Sequence, residues 1–261
     1  MFHYIKALFK IIFPIIGNYF FDIKIKHQHK EKYPIELRYQ KSRRLLKKVP
    51  NILDADIHVE GLENLPKDEG FTIFSNHISM IDPLIYVSIF DDPLAIVAKS
   101  ELTKIPFIGT ILDFMDGKFL VREDLKQSLK VMMDIQDDLT SKKHNWLIFP
   151  EGTRNRDIQR TLNEFHHGTF RPSFKSKTPI VPCVIYGTKE LLNVHLNLKK
   201  YPIYVKFLPP LYYEDYKDMD TAQIAKLVQS KVQQDLTYNA RVWHNKYMFE
   251  HYPKLFKKKK M

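Results

Sequence analysis

"FTIFSNHISMIDP" (71–83) changes character twice within a few residues. Phe71 to Ser75 is a short apolar run of the kind that forms a strand buried on both faces. Asp82 followed by Pro83 reads as a helix N-cap with proline at the first helical position. Between the two lie Asn76 and His77. The stretch predicts a strand, a tight turn and a helix, the unit from which α/β domains are built.

Outward from there the same alternation continues. Further strands are predicted at 94–98 ("LAIVA"), 118–121 ("KFLV"), 146–149 ("WLIF"), 180–185 ("IVPCVI") and 203–208 ("IYVKFL"), with helical stretches between them. In 124–141, Leu125, Leu129, Met132, Ile135 and Leu139 recur at helical spacing and are read as core contacts, with Lys126, Lys130 and Asp137 on a solvated face. A last amphipathic helix is predicted over 221–248, and 155–170 receives no assignment. The expected fold is α/β, a largely parallel central sheet flanked by helices. In such sheets ligands gather beyond the carboxyl ends of the strands, which directs attention to the loops after Ser75, Ala98, Val121 and Phe149.

The 261 residues carry 41 Lys and Arg against 30 Asp and Glu, a net charge of +11, which favours an anionic partner: membrane lipid, phosphorylated substrate or nucleic acid. No pattern of a nucleic-acid-binding motif accompanies the charge, so nucleic acid is not expected as a partner. The single cysteine, Cys183, excludes an intrachain disulfide and cysteine-based zinc sites and fits a reduced, cytosol-facing protein. No metal or cofactor is expected, and His166 and His167 are read as surface or substrate-lining histidines.

Residues 1–50 are expected to form an N-terminal helical membrane-anchoring segment, and 51–261 an α/β domain ending in a helix and a polybasic tail. Phe2, Ile5, Phe9, Ile12 and Ile16 share one helical face and Lys6, Lys10, Pro14 and Asn18 another. This pattern favours lying in the bilayer interface, on its cytoplasmic side, over a true span, with docking on the chain's own domain as the alternative. The basic stretch 36–49, with Leu37, Leu45 and Leu46, and the terminal "KLFKKKKM" suit anionic membrane lipids.

At the strand ends, His77 and Asp82 are five residues apart. On a continuous helix that interval turns side chains about 140° from each other. With His77 on the turn and Asp82 at the helix start, the carboxylate can orient the imidazole as a general base. The interval alone is weak support, since His58 and Glu63 repeat it. Arg122, at the end of "GKFLVRED", either exits to solvent or faces a ligand. In "FPEGTR" (149–154), Gly152 lets a ligand approach the backbone, Thr153 offers a hydroxyl, and Arg154 a fork suited to phosphate. Glu151 either accepts from a ligand hydroxyl or holds an arginine. A turn with an incidental ion pair is the competing account.

Taken together these segments resemble the glycerophospholipid acyltransferase family, in particular its 1-acylglycerol-3-phosphate acyltransferases. "NHISMID" is similar to the family's N-H-x-x-x-x-D motif, "GKFLVRED" to its arginine motif, "FPEGTRNR" to F-P-E-G-T-R, and "IVPCVIYG" to its apolar proline motif. The resemblance covers roughly 71–187 in family order. At "FHHGTF" this chain has His167 where family members often carry lysine. The resemblance implies acyl transfer from acyl-CoA or acyl-carrier protein to the sn-2 hydroxyl of lysophosphatidate, forming phosphatidate. His77 and Asp82 would be catalytic, with Lys99, Arg122, Glu151, Gly152, Thr153 and Arg154 binding substrate. Glycerol 3-phosphate or another lysophospholipid as acceptor, or a catalytically silent lipid-binding module, are the alternatives.

Overall fold

The sheet runs β1 (Ala55–Glu60), β2 (Thr72–Ser75), β3 (Leu94–Lys99), β4 (Lys118–Leu120), β5 (Asn145–Ile148), β6 (Ile180–Tyr186) and β7 (Tyr201–Phe207) along the chain. In space the order is β1-β7-β6-β2-β5-β3-β4. These are seen in a computed structural model that describes residues 16–255 apart from 18, 68–69, 106, 122, 156–160, 193–195 and 197. Every neighbouring pair is parallel except β6 with β7. All residues of β2 and β6 are buried, which is why both read as unbroken apolar runs. β2 lies between β6 and β5, so the turn that carries His77 opens at the middle of the sheet's carboxyl edge.

The six predicted strands are present, with ends shifted by a residue or two. β1 was not foreseen: its sequence ADIHVE mixes acids and a histidine into the apolar pattern, as an edge strand tolerates, and it pairs only with β7.

Among the described residues the α-helices of six or more residues are α1 (Ile35–Leu46), α2 (Asp82–Ile89), α3 (Ile108–Phe114), α4 (Leu125–Thr140), α5 (Arg171–Ser176), α6 (Thr221–Asp235) and α7 (Arg241–His251). The helix predicted over 221–248 is α6 and α7 joined by a π-helical turn, Leu236–Ala240. In α4, Met132, Ile135 and Leu139 are buried as expected, against Ala95 and Trp146. Leu125 and Leu129 are not: Leu125 is 82% exposed and Leu129 also faces outward. The edge strand β4 spans only three residues, and the first turn of α4 lies beyond the contact with β3 and β5.

The described part of the N-terminal fifty residues belongs to the domain core. Tyr19, Ile23, Tyr39, Leu45, Leu46 and Val49 sit in one buried cluster with Ile73, Leu147 and Val181, so the boundary expected at residue 50 cuts through a single core. The basic stretch 36–49 spends charge inward for the same reason. Arg38 is buried and grips Asp116 with both terminal nitrogens, at 2.7 and 2.9 Å, and Arg43 pairs with Asp91 at 2.8 Å. Phe20, Phe21 and Ile25 remain on the outside. The expectations for residues 1–15 and for the lysine run 257–260 lie outside the described residues. Among the described residues no helix is long and apolar enough to cross a membrane.

Candidate active site

The site begins with an asparagine that continues a strand ladder by its side chain. Ser75 pairs with Cys183 at the end of the β2–β6 register. One residue on, Asn76 donates from Nδ2 to the Ile185 carbonyl and accepts from the Ile185 amide, both at 2.9 Å. A side-chain amide thus imitates a backbone pair and fixes where the chain leaves the sheet. His77 follows, held by its backbone on both sides: its amide donates to Glu151 Oε1 (2.8 Å) and its carbonyl accepts from the Asn155 amide (2.7 Å). Phe149 stacks on the imidazole, with centroids 4.2 Å apart.

His77 Nδ1 lies 2.8 Å from Asp82 Oδ2. The same oxygen accepts the amides of Ile78 (2.7 Å) and Ser79 (2.8 Å), and Oδ1 accepts the Thr188 hydroxyl. Asp82 is 0% exposed. A carboxylate surrounded by donors is an acceptor only, so the imidazole presents Nδ1–H to it and leaves Nε2 uncommitted to Asp82. The N-cap reading of Asp82 is corrected here. Ile81 occupies the N-cap position, and the carboxylate folds back over the turn instead of capping α2. The comparison interval has no such use, since His58 bonds Glu60 at 3.0 Å and stacks on Trp243.

The loop after β5 splits its expected roles. Glu151 is 2% exposed, with Oε1 on the His77 amide and Oε2 on the Asn163 amide (2.9 Å). Burial pushes its carboxyl above the ordinary range, against the pull of those amides. Through Oε1 it braces the backbone of His77. Gly152 has φ +63°, and a Cβ there would stand 3.0 Å from the His166 ring. The left-handed backbone favours glycine, and a Cβ would crowd the ring. Thr153 and Arg154 are exposed beside it.

Lys99 ends β3 and pairs with Glu101. Arg122 lies outside the described residues. Thr188 was missed by sequence reasoning: it is 106 residues from Asp82, just past β6, and no local pattern marks it. His166 was noticed only as one of a pair, and the structure separates the two. His166 packs on Gly152, whereas His167 Nδ1 faces Thr221 Oγ1 at 3.4 Å.

A family model described as Acyltransferase matches residues 56–186, half of the chain, and spans both loops just described. The chain belongs to this acyltransferase family. A probable 1-acyl-sn-glycerol-3-phosphate acyltransferase of Mycoplasma pneumoniae is 28% identical over 217 residues, 78% of this acyltransferase and 80% of that protein. The 1-acyl-sn-glycerol-3-phosphate acyltransferase of Borreliella burgdorferi is 33% identical over 54% of this chain and 56% of its own length. The yeast enzyme of the same name is 27% identical over 69% and 60% respectively. The chain therefore spans little more than half the length of two of these relatives. The crystal structure of PlsC, the 1-acyl-sn-glycerophosphate acyltransferase of Thermotoga maritima, shares the fold with a TM-score of 0.67 at 22% identity, covering 90% of this acyltransferase and 96% of that chain.

Proposed function

We propose that this acyltransferase moves a fatty acyl group from a thioester, acyl-CoA or acyl-carrier protein, to the sn-2 hydroxyl of a 1-acylglycerol 3-phosphate, forming phosphatidate. The observation that carries the reading is the His77–Asp82 pair, with the carboxylate buried and the imidazole Nε2 left to accept a proton. Nε2 takes the hydroxyl proton as the oxygen attacks the thioester carbonyl. The tetrahedral adduct collapses with cleavage of the carbon–sulfur bond, and the leaving sulfur recovers the proton from Nε2. Ester and thiol depart with the imidazole neutral again. General-base catalysis of this kind supplies about 10²–10⁴ in rate, the remainder coming from positioning.

Phosphate binding falls to Arg154 and Arg122, with Gly152 and Thr153 shaping the loop and Lys99 as a further cation. Each charge-assisted bond contributes about 1.5–3 kcal/mol. Cys183 does not compete as a nucleophile: it is buried, accepts a hydrogen bond from Tyr86 at 3.2 Å, and burial pushes its thiol far up. The same reading puts the enzyme against an anionic, cytoplasm-facing membrane surface, where an amphipathic acceptor is concentrated. The charge of +11 and the outward Phe20, Phe21 and Ile25 beside Lys24 and Lys26 support it.

His77→Ala is expected to lower acyl transfer about 10²–10⁴-fold while lipid binding persists; undiminished turnover refutes the assigned base. The assay, run in mixed micelles with lysophosphatidate and glycerol 3-phosphate against each thioester, identifies acceptor and donor together.

A further inference from the structure

Resting on the general-base reading above, we propose that Tyr86 is a positioning residue for the His77–Asp82 pair, tying α2 to the end of β2 across the turn that carries the imidazole. Asp82 and Tyr86 stand four residues apart on one side of α2. The Tyr86 hydroxyl lies 2.6 Å from Ser75 Oγ, two residues before His77, and donates to Cys183 Sγ at 3.2 Å. Ser75 and Cys183 are register partners in the β2–β6 ladder. One phenol therefore joins the helix that holds Asp82, the strand that leads into His77 and that strand's neighbour. Its ring also meets Phe149 edge-on, with centroids 6.3 Å apart, and Phe149 is the ring stacked on His77.

Packing alone does not call for this hydroxyl. Tyr86 is 0% exposed, in one buried cluster with Ile85, Val87, Phe90 and Phe207, where phenylalanine would fill nearly the same volume. A hydroxyl taken out of water is costly unless it is bonded, and this one is bonded on two sides. Burial pushes the phenol well above its ordinary pKa, so it stays neutral and keeps its proton to donate. The bond from Tyr86 to Ser75 brackets both members of the pair, His77 and Asp82 lying between its ends in the chain. A slide of α2 along β2 would draw Asp82 Oδ2 away from the imidazole, and this tie opposes that slide.

The test compares Tyr86→Phe with Ile85→Val, a buried apolar neighbour on α2, in the full-length enzyme. Ser75 keeps the Asn76 carbonyl, 3.0 Å away, as an acceptor in Tyr86→Phe, so the fold persists. Each substitution is expected to lower the melting temperature by about 2–4 °C, the effect of one hydrogen bond or one methylene. Tyr86→Phe is expected to lower kcat about tenfold with acceptor and donor KM unchanged, and Ile85→Val to keep the wild-type kcat. The His77 Nδ1 proton shared with Asp82, read by proton NMR, reports the geometry without turnover; it shifts in Tyr86→Phe and stays in place in Ile85→Val. Where His77→Ala is inactive, a wild-type kcat in Tyr86→Phe, a loss shared equally by Ile85→Val, a loss carried by KM, or a loss without the shift discards the tie and leaves the base reading standing. A shift confined to Tyr86→Phe in a protein whose His77→Ala variant still turns over keeps the tie and discards the base reading.

Discussion

Asp82 is useful to His77 because it has no other freedom. Two backbone amides, one hydroxyl and one imidazole occupy its oxygens, and a buried carboxylate so surrounded cannot rotate without abandoning a partner. Thr188 is the member of this set that acts only through Asp82, as a positioning residue. Thr188→Val is isosteric and leaves Oδ1 without a donor, a loss of about 1–3 kcal/mol in a buried setting. The expected outcome is a kcat about tenfold lower with acceptor and donor KM unchanged, and Thr188→Ser restoring most of it. Steady-state kinetics on the three proteins check this; a KM effect without a kcat effect counts against a positioning role. At this scale His77 and Asp82 were legible because a turn and a helix start lie between them in sequence. Thr188 was not, because it reaches Asp82 only through the fold. The partners of Glu151 were not legible either, since only the tertiary contacts reveal that both oxygens meet backbone amides.

Among the elements, strands buried on both faces were readable from composition, and β1 was not, because an edge strand need not be apolar. Helix α4 shows the complementary limit. Periodicity identifies the apolar positions of a helix but not what covers each one: Leu125 stays 82% exposed although Gln127 in the same turn bonds the Phe119 carbonyl of β4. The segment Tyr19–His27 combines both situations. Tyr19 and Ile23 anchor it in the core, with the Tyr19 ring meeting Phe107 edge-on at 4.6 Å, while Phe21 and Ile25 are 73% and 58% exposed. An element docked by one face and apolar on the other is suited to meet a bilayer without leaving its domain. Phe21→Ser with Ile25→Ser is expected to weaken co-sedimentation with anionic vesicles several-fold while the thermal midpoint stays within a degree or two. Unchanged sedimentation removes this segment from the membrane contact.

Across the whole molecule, acid stability follows from a histidine and several carboxylates that the fold treats in opposite ways. His244 is buried at 6% exposure against Tyr186, and burial lowers its pKa from 6.5 to about 4. Between those values the unfolded chain binds a proton that the folded chain refuses, so the stability is complete above pH 6.5 and declines as pH falls towards 4. His244→Phe is expected to shrink the fall in melting temperature between pH 7 and pH 5; an identical fall in both proteins contradicts the assignment. Asp116 behaves differently. Burial opposes its ionisation, yet the Arg38 fork and Lys143 hold its carboxyl well below the usual range, so its contribution is lost only at pH below about 3.8. The sequence by itself determined the α/β alternation and the loops in which chemistry would lie, because buried strands and helix starts are local properties of the chain. Tertiary structure alone decided that Asn76 clasps β6, that Glu151 braces His77, that Thr188 completes Asp82 and that His166 lies on Gly152. These contacts join residues far apart in the chain, and only packing brings their hydrogen-bonding groups within reach.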